Sequence, residues 1–167
     1  MSQRIILGID PGIATIGFAF LKLDETAREL LDYGVIVTDP GLEFGERLHI
    51  LHQDLRNLIQ LHQPTESCVE QLFFAKNTKT ALDVAHGRGV ILACLAEHGL
   101  RPRSLTPNEI KLAVTGDGSA DKLQVQEMIK REFQLPCIPE PDDAADAIGV
   151  ALSSSLIHLP FRASGVW

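Results

Sequence analysis

The alternation of hydrophobic and polar positions predicts three strands in the first part of the chain. Residues Arg4 to Asp10 form a β-rich run that ends at Pro11-Gly12, and Ile13 to Leu23 alternates like a second strand. Two such runs joined by a turn predict a hairpin. Leu30 to Thr38 continues the alternation, so we expect a third strand next to the hairpin.

The rest of the chain carries both helical and strand-like patterns. Apolar residues at three- and four-residue steps predict a helix from Phe44 to Ile59. A buried strand is predicted for Glu66 to Leu72 and a short strand for Arg101 to Leu105. Three more helices are predicted, at Thr78 to His98, Asp121 to Phe133 and Asp142 to His158. This order predicts an α/β fold in which a mixed sheet of about five strands is flanked by helices.

Length and composition indicate a single domain. The chain has 167 residues, 45% of them hydrophobic, which suits one compact core. Because the sequence contains no repeat, low-complexity stretch or linker, we expect one domain over residues 1–167 with its core between residues 3 and 158.

The apolar runs are too short for a signal peptide or a membrane span. Three cysteines, Cys68, Cys94 and Cys137, lie far apart without a CxxC pair, so neither a disulfide framework nor a zinc site is predicted. We therefore expect a protein of the reducing cytoplasm.

The formal net charge of -7 argues at first against a nucleic-acid partner, because DNA binding depends on Lys and Arg at phosphates. The charge is unevenly distributed, however. Basic residues outnumber acidic ones between Lys76 and Arg131, and the remainder of the chain is strongly acidic. The middle of the chain is therefore able to face a polyanion.

Two acids belong to predicted strands. Asp10 ends the first strand between Gly8 and Gly12, and Gly17 comes soon after, so we expect room for a phosphate backbone near its carboxylate. A simple Asp-Pro-Gly turn would explain Asp10 equally well. Glu70 lies within an apolar strand, where a charge needs a cation or an open strand end, unless it faces the outer side of the sheet.

Three more acids stand at the start of the last predicted helix. Asp143 and Asp146 are three residues apart and project from one helical face, where like charges repel unless a cation lies between them. Asp142 has a simpler explanation, since an acid at a helix start complements the helix dipole. Which of Asp142 and Asp143 is a metal ligand stays open at this stage.

Four carboxylates without accompanying His or Cys ligands predict a hard, oxygen-only site of the kind that Mg²⁺ or Mn²⁺ prefers. Two such ions can hydrolyse a phosphodiester without a protein nucleophile. The histidines show no metal-ligand spacing, and a solvated helix face explains His49 and His52.

Four motifs in order, between residues 8 and 147, resemble those of the RuvC-type Holliday-junction resolvases. They are Gly8-Ile9-Asp10-Pro11-Gly12; Val69-Glu70-Gln71 with Phe73 and Ala75-Lys76-Asn77; Gly118-Ser119-Ala120-Asp121-Lys122; and Asp143-Ala144-Ala145-Asp146-Ala147. The resemblance implies an RNase H-like fold, a homodimer with two active sites, and Mg²⁺-dependent cutting of two opposed strands of a four-way DNA junction in recombination and repair. It also implies cooperation with a branch-migration complex of the RuvA and RuvB type.

The same resemblance assigns roles to individual residues. It implies two Mg²⁺ ions per site, replaceable by Mn²⁺, held by Asp10, Glu70, Asp143 and Asp146. It also implies DNA contacts: a stacking role for Phe73, and phosphate contacts or other binding by Lys76, Asn77, Lys111 and Lys122.

Other interpretations stay open at the level of sequence. They are a junction-binding module that does not cut, a nuclease acting on other branched or RNA-containing substrates, and a single-lobe nucleotide-binding protein of the actin and Hsp70 superfold. A stripe of small residues on the second predicted helix, namely Ala81, Ala85, Gly89 and Ala93, fits either a dimer seam or packing against the sheet.

Overall fold

The computed structural model describes residues 4–25, 27–72 and 78–157. In chain order its elements are β1 (Arg4–Asp10), β2 (Thr15–Leu23), β3 (Arg28–Val37), α1 (Phe44–His62), β4 (Glu66–Glu70), α2 (Thr78–Glu97), β5 (Arg103–Leu105), α3 (Pro107–Thr115), α4 (Lys122–Glu132) and α5 (Asp142–Leu156). None of the helices in these ranges combines the length and the apolar character that crossing a bilayer demands.

The five strands form one mixed sheet in the order β3-β2-β1-β4-β5. The first three strands are antiparallel to their neighbours, whereas β4 runs parallel to β1 and β5 runs parallel to β4. The prediction of a mixed five-stranded sheet is therefore confirmed. Because β1 and β4 are parallel neighbours, their carboxyl ends lie at the same edge of the sheet.

Helices cover both faces of the sheet, and each face has its own apolar cluster. On one face Leu7, Ile9 and Phe20 are fully buried together with residues of α1 and α2, including Leu51 and Ile91. On the other face α5 lies on the sheet, α3 and α4 pack against α5, and Ile110, Ile129 and Ile148 join residues of the sheet in one apolar cluster. The site described below lies where these layers meet the carboxyl edge of β1 and β4.

Two glycines of the sheet allow α5 to lie directly on it. A Cβ atom at Gly17 would lie 1.9 Å from the backbone oxygen of Asp143, and one at Gly8 would lie 2.5 Å from the backbone oxygen of Ala147. The expectation that glycines around Asp10 leave room for a phosphate backbone is therefore wrong for these two positions. Their space holds the backbone of α5 instead, which brings the start of that helix next to β1 and β2.

One helix was absent from the sequence prediction. Helix α3 begins after Thr106, whose side chain accepts a hydrogen bond from the Glu109 N–H while the Glu109 carboxylate accepts one from the Thr106 N–H. Pro107 occupies the first helical turn, where its missing N–H costs nothing. These three residues were a recognisable helix-start signal.

The small-residue stripe of α2 does not pack against the sheet. Gly87, Ile91 and Leu95 form the buried side of the helix, whereas Ala85, Gly89 and Ala93 are exposed. A Cβ atom at Gly89 would meet nothing within 4 Å. The interpretation that these exposed residues pack on the chain's own sheet is therefore wrong.

Candidate active site

Asp10 and Glu70 end neighbouring parallel strands. Ile9 pairs with Val69, so the next residue of each strand, Asp10 and Glu70, lies at the carboxyl edge of the sheet. Both side chains are half-buried. Glu70 ends its strand at this edge, where burial and the carboxylate of Asp146 oppose its charge and Lys122 favours it.

Helix α5 brings Asp143 and Asp146 to the same edge. Asp10 pairs with Gly17 across the β1–β2 hairpin, and the backbone of Asp143 lies over that glycine. Asp146 follows three residues later on the same face of α5, and both acids are half-buried. The structure thus unites four acids that come from three distant parts of the sequence.

Burial and the neighbouring acids both oppose the charge of Asp10. The pKa of Asp10 is raised to about 8, and burial is the largest cause. Three neighbouring carboxylates add to the rise in the order Glu70, Asp146 and Asp143. At neutral pH Asp10 is therefore largely protonated, and a cation in the site would favour its charged form.

Glu70 and Asp146 show the same effect. Burial, followed by the charge of Asp146, raises the pKa of Glu70 to about 7. Burial also raises the pKa of Asp146, although a hydrogen bond from Lys122 opposes the rise. Mutual repulsion of half-buried carboxylates is the electrostatic situation that a divalent cation relieves.

Within residues 4–25, 27–72 and 78–157, Lys122 is the basic residue that lies in direct contact with these acids. Its Nζ atom lies 3.0 Å from the Oδ2 atom of Asp146 and 3.0 Å from the Oδ2 atom of Asp142. Partial burial opposes the charge of the ammonium, but the bonds to Asp146 and Asp142 outweigh it and raise the pKa of Lys122. Lys122 opens α4, where the Asp121 side chain caps the helix by accepting a hydrogen bond from the Gln124 N–H.

Asp142 and Asp143 have different surroundings. The Asp142 carboxylate binds Lys122 and also accepts a hydrogen bond of 3.1 Å from Nε2 of Gln126. These two contacts lower the pKa of Asp142, and its side chain is 66% exposed. Asp143 instead lies close enough to Asp10 to raise its pKa. The geometry therefore favours Asp143 over Asp142 as the partner of Asp10.

The residues predicted to contact DNA are distributed unevenly. Phe73, Lys76 and Asn77 lie outside the described residues. Lys111 lies on α3, half-buried, and its charge helps to lower the pKa of Asp117 after the hydrogen bonds from Ser119. Of the two described lysines, Lys122 is therefore the one with direct contacts to the predicted ligands.

Gln126 is a site residue that the sequence did not reveal. It is 8% exposed, and it lies one helical turn after Lys122, from which it reaches the other side of Asp142. A glutamine within an amphipathic helix has no local signal for such a role. Only the packing of α4 against α5 gives it a partner.

The fold and the acids together define a class of protein, namely RNase H-like domains with a carboxylate site at the edge of the central sheet. A sequence model of the family described as crossover junction endodeoxyribonuclease RuvC matches residues 6–154. The RuvC of Ruminiclostridium cellulolyticum is 44% identical over 154 residues, which make up 92% of this chain and 93% of the relative. The chain belongs to the RuvC family of crossover junction endodeoxyribonucleases.

Solved structures agree with this assignment. The Thermus thermophilus RuvC structure superposes with a TM-score of 0.85 at 28% identity, covering 92% of this chain and 94% of that one. The structure of T. thermophilus RuvC in complex with a Holliday junction substrate superposes with a TM-score of 0.82 at 26% identity, covering 92% and 93% of the two chains.

Proposed function

We propose that this chain is a structure-specific endonuclease that cuts four-way DNA junctions by hydrolysing phosphodiester bonds. The observation that carries the proposal is the meeting of Asp10, Glu70, Asp143 and Asp146 at one edge of the sheet in a member of this family. A junction-binding module without cleavage would have no need for four mutually repelling acids.

We also propose that Mg²⁺ is the cofactor, two ions per site, with Mn²⁺ as a substitute. The donor set fits, because it is made of carboxylate oxygens, and burial together with the neighbouring carboxylates raises the pKa of Asp10 to about 8. When bound, such ions activate water and stabilise the departing oxygen of a phosphodiester. Asp10, Glu70, Asp143 and Asp146 are the residues that would hold them.

The protein's own groups have separate tasks in this proposal. Asp10 and Glu70 would hold the cofactor through their ionised carboxylates. Lys122, whose ammonium is 3.0 Å from Asp146, would bind a phosphate oxygen of the scissile strand. Lys111, Lys76 and Asn77 would bind neighbouring DNA, and Phe73 would stack on a base near the branch point.

A homodimer would present two such sites to opposed strands of the junction. The exposed small residues of α2, namely Ala85, Gly89 and Ala93, support a dimer seam there, because small residues let two helices approach closely. Cooperation with a branch-migration complex of the RuvA and RuvB type belongs to the same proposal. The T. thermophilus relative was solved with a Holliday junction substrate, which supports the choice of DNA.

The test compares cleavage of a synthetic four-way DNA junction with cleavage of linear duplexes of the same sequence, in Mg²⁺ and in EDTA. Wild-type protein, Asp146→Asn and Asp54→Asn are assayed in parallel. Asp54 is an exposed acid of α1 and serves as the matched control. We expect paired cuts of the junction alone, in Mg²⁺ alone, and a loss of at least about 10³-fold in Asp146→Asn.

Two other results would assign a different function. Binding of the junction without cleavage, at any divalent cation, would establish a binding module. Equal cleavage of linear duplex, or of branched RNA-containing substrates, would leave the hydrolytic site in place but overturn the junction as its substrate.

A further inference from the structure

A second group of potential metal ligands lies between α1 and α2. One ligand atom each from His52, Cys94 and Glu97 lies within 4.8 Å of the other two. His52 belongs to α1, whereas Cys94 and Glu97 are three residues apart on one face of α2. The group is therefore a product of helix packing, since more than forty residues separate His52 from the other two.

The contacts within this group are already polar. The Nε2 atom of His52 lies 3.0 Å from the Oε2 atom of Glu97, and the Cys94 thiol donates a hydrogen bond of 3.8 Å to the backbone oxygen of His52. Cys94 is fully buried, His52 is half-buried and Glu97 is exposed. The three donors thus line a path from the helix interface to solvent, with the sulfur at its inner end.

The donor types select a different cation from the one proposed for the acid site. Imidazole, thiolate and carboxylate are all ligands of Zn²⁺, and a site with only three protein ligands completes the four-coordinate shell with water. A thiolate is a poor ligand for Mg²⁺, which prefers oxygen alone. From this juxtaposition we infer that His52, Cys94 and Glu97 form a Zn²⁺ site that fastens α1 to α2.

Binding would proceed by simple exchange. The Cys94 thiol releases its proton to solvent and the sulfur binds the ion, as coordinating thiols do. The direct contact between His52 and Glu97 is replaced by two bonds to the ion, and water fills the fourth position. The ligand atoms need only small side-chain rotations, since they already lie within 4.8 Å of one another.

The zinc site is separate from the acids. Cys94 lies seven residues beyond Gly87, the residue of α2 whose Cβ position meets the backbone of Gly12 next to the acid site. Seven residues correspond to about 10 Å along a helix. The ion would therefore act on the stability of the α1–α2 layer and would take no part in DNA hydrolysis.

Cobalt is the probe, because a cysteine thiolate bound to Co²⁺ gives a charge-transfer absorption band in the near ultraviolet, whereas a carboxylate site does not. The full-length protein, kept reduced, is titrated with Co²⁺ and then with Zn²⁺ or excess Mg²⁺. Variants Cys94→Ser, His52→Asn and Glu97→Gln remove one ligand each. Cys137→Ser, at an exposed cysteine, and His49→Asn, at an exposed histidine of α1, are the matched controls.

We expect the band in wild type and in both controls, its loss in Cys94→Ser, and at least about tenfold weaker binding in His52→Asn and Glu97→Gln. Zn²⁺ should abolish the band and Mg²⁺ should leave it. Because Glu97 is exposed, we expect Glu97→Gln to fold, so the test remains valid even if Cys94→Ser fails to fold. Absence of the band in wild type, its loss in Cys137→Ser, or unchanged affinity in His52→Asn and Glu97→Gln would each overturn the inference. Junction cleavage in Mg²⁺ should be unchanged in Glu97→Gln.

Discussion

The ammonium of Lys122 lies 3.0 Å from the carboxylate of Asp146, and the same ammonium also binds Asp142. A lysine thus supplies positive charge at the edge of the acid cluster. Any divalent cation that enters the site must compete with this ammonium for Asp146. We therefore expect Lys122 to affect cofactor affinity as well as the proposed contact with DNA.

Replacing Lys122 with methionine should change metal binding and cleavage in opposite directions. Removal of the competing ammonium should tighten Mn²⁺ binding, because Asp146 is left without its partner. Cleavage of the junction at saturating metal should fall by about 10²-fold, because the positive charge that we propose to bind phosphate is lost. Calorimetric titration with Mn²⁺ and single-turnover cleavage measure the two effects.

Lys130→Met, at the other end of α4, is the control for the loss of a lysine and should change neither quantity. Weaker Mn²⁺ binding in Lys122→Met would show that the lysine organises the acids more than it competes for them.

The stability of the metal-free protein should decrease as pH rises toward 8. Asp10 and Glu70 have ordinary pKa values of 3.8 and 4.5, and burial raises them to about 8 and about 7 in the folded state. At pH values between the ordinary and the raised pKa values, the folded state therefore binds more protons than the unfolded state. The free energy of unfolding falls as the pH rises through this range. Thermal unfolding in EDTA between pH 4 and pH 9 measures this slope, and added Mg²⁺ should reduce the loss at high pH.

Asp10→Asn should flatten that slope. At pH 8 without metal, the unfolding temperature of the variant should be about 2–4 °C higher than that of the wild type. This difference corresponds to about 1 kcal/mol in a domain of this size. Asp54→Asn, at an exposed acid, should leave the slope unchanged. An unchanged slope in Asp10→Asn would mean that Asp10 is ionised in the metal-free protein.

Gly17→Ala should lower both stability and activity. A Cβ atom there would lie 1.9 Å from the backbone oxygen of Asp143, so α5 must move away from the sheet. We expect a loss of about 1–3 kcal/mol from overpacking, and cleavage at a temperature where the variant is folded should fall as well. Urea unfolding and junction cleavage at low temperature separate the two losses.

Gly45→Ala is the matched control, because a Cβ atom at this position in α1 meets nothing within 4 Å. It should leave cleavage unchanged and stabilise the helix slightly. Full activity in folded Gly17→Ala would show that the start of α5 can shift without disturbing the acids.

Thr106→Ala should destabilise the protein by about 1 kcal/mol through the loss of the cap of α3. The hydroxyl receives a hydrogen bond of 3.2 Å from the Glu109 N–H, which would be left without this partner. Urea denaturation measures the effect, and Asn108→Ala, at an exposed residue of the same helix, controls for side-chain removal. Equal stability of the two variants would contradict the role of the cap.

The sequence predicted the sheet well because its strands have strong local patterns. Arg4 to Asp10 was predicted with the bounds that the structure shows, and the parallel pairing of β4 with β1 follows the expected mixed sheet. Helix α3 was missed because it has only nine residues, too few for its periodicity to stand out. Its capping residues were a better signal than its hydrophobic pattern.

The acids of the candidate site were predicted because charges at strand ends and helix starts stand out against apolar neighbours. The functions of the glycines were not, because Gly8 and Gly17 contact a helix more than 120 residues away, and no local pattern reports such a contact. The same holds for Gln126 and for the meeting of His52 with Cys94. Contacts between residues that are distant in sequence depend on how whole helices pack.

The sheet order that joins Asp10 to Glu70 also has a consequence during synthesis. The acids come from residues 10, 70, 143 and 146, and α5 covers the face of the sheet that holds Ile6, Ala19 and Leu21. While residues 143–146 are still inside the ribosome, the emerged part of the nascent chain lacks two of the four acids. The apolar face of the sheet is then not covered by α5. If these acids form the active site, as we propose, hydrolytic capacity arises last, together with the closure of the hydrophobic layer, and we expect a chain that ends before α5 to be inactive and to expose apolar surface.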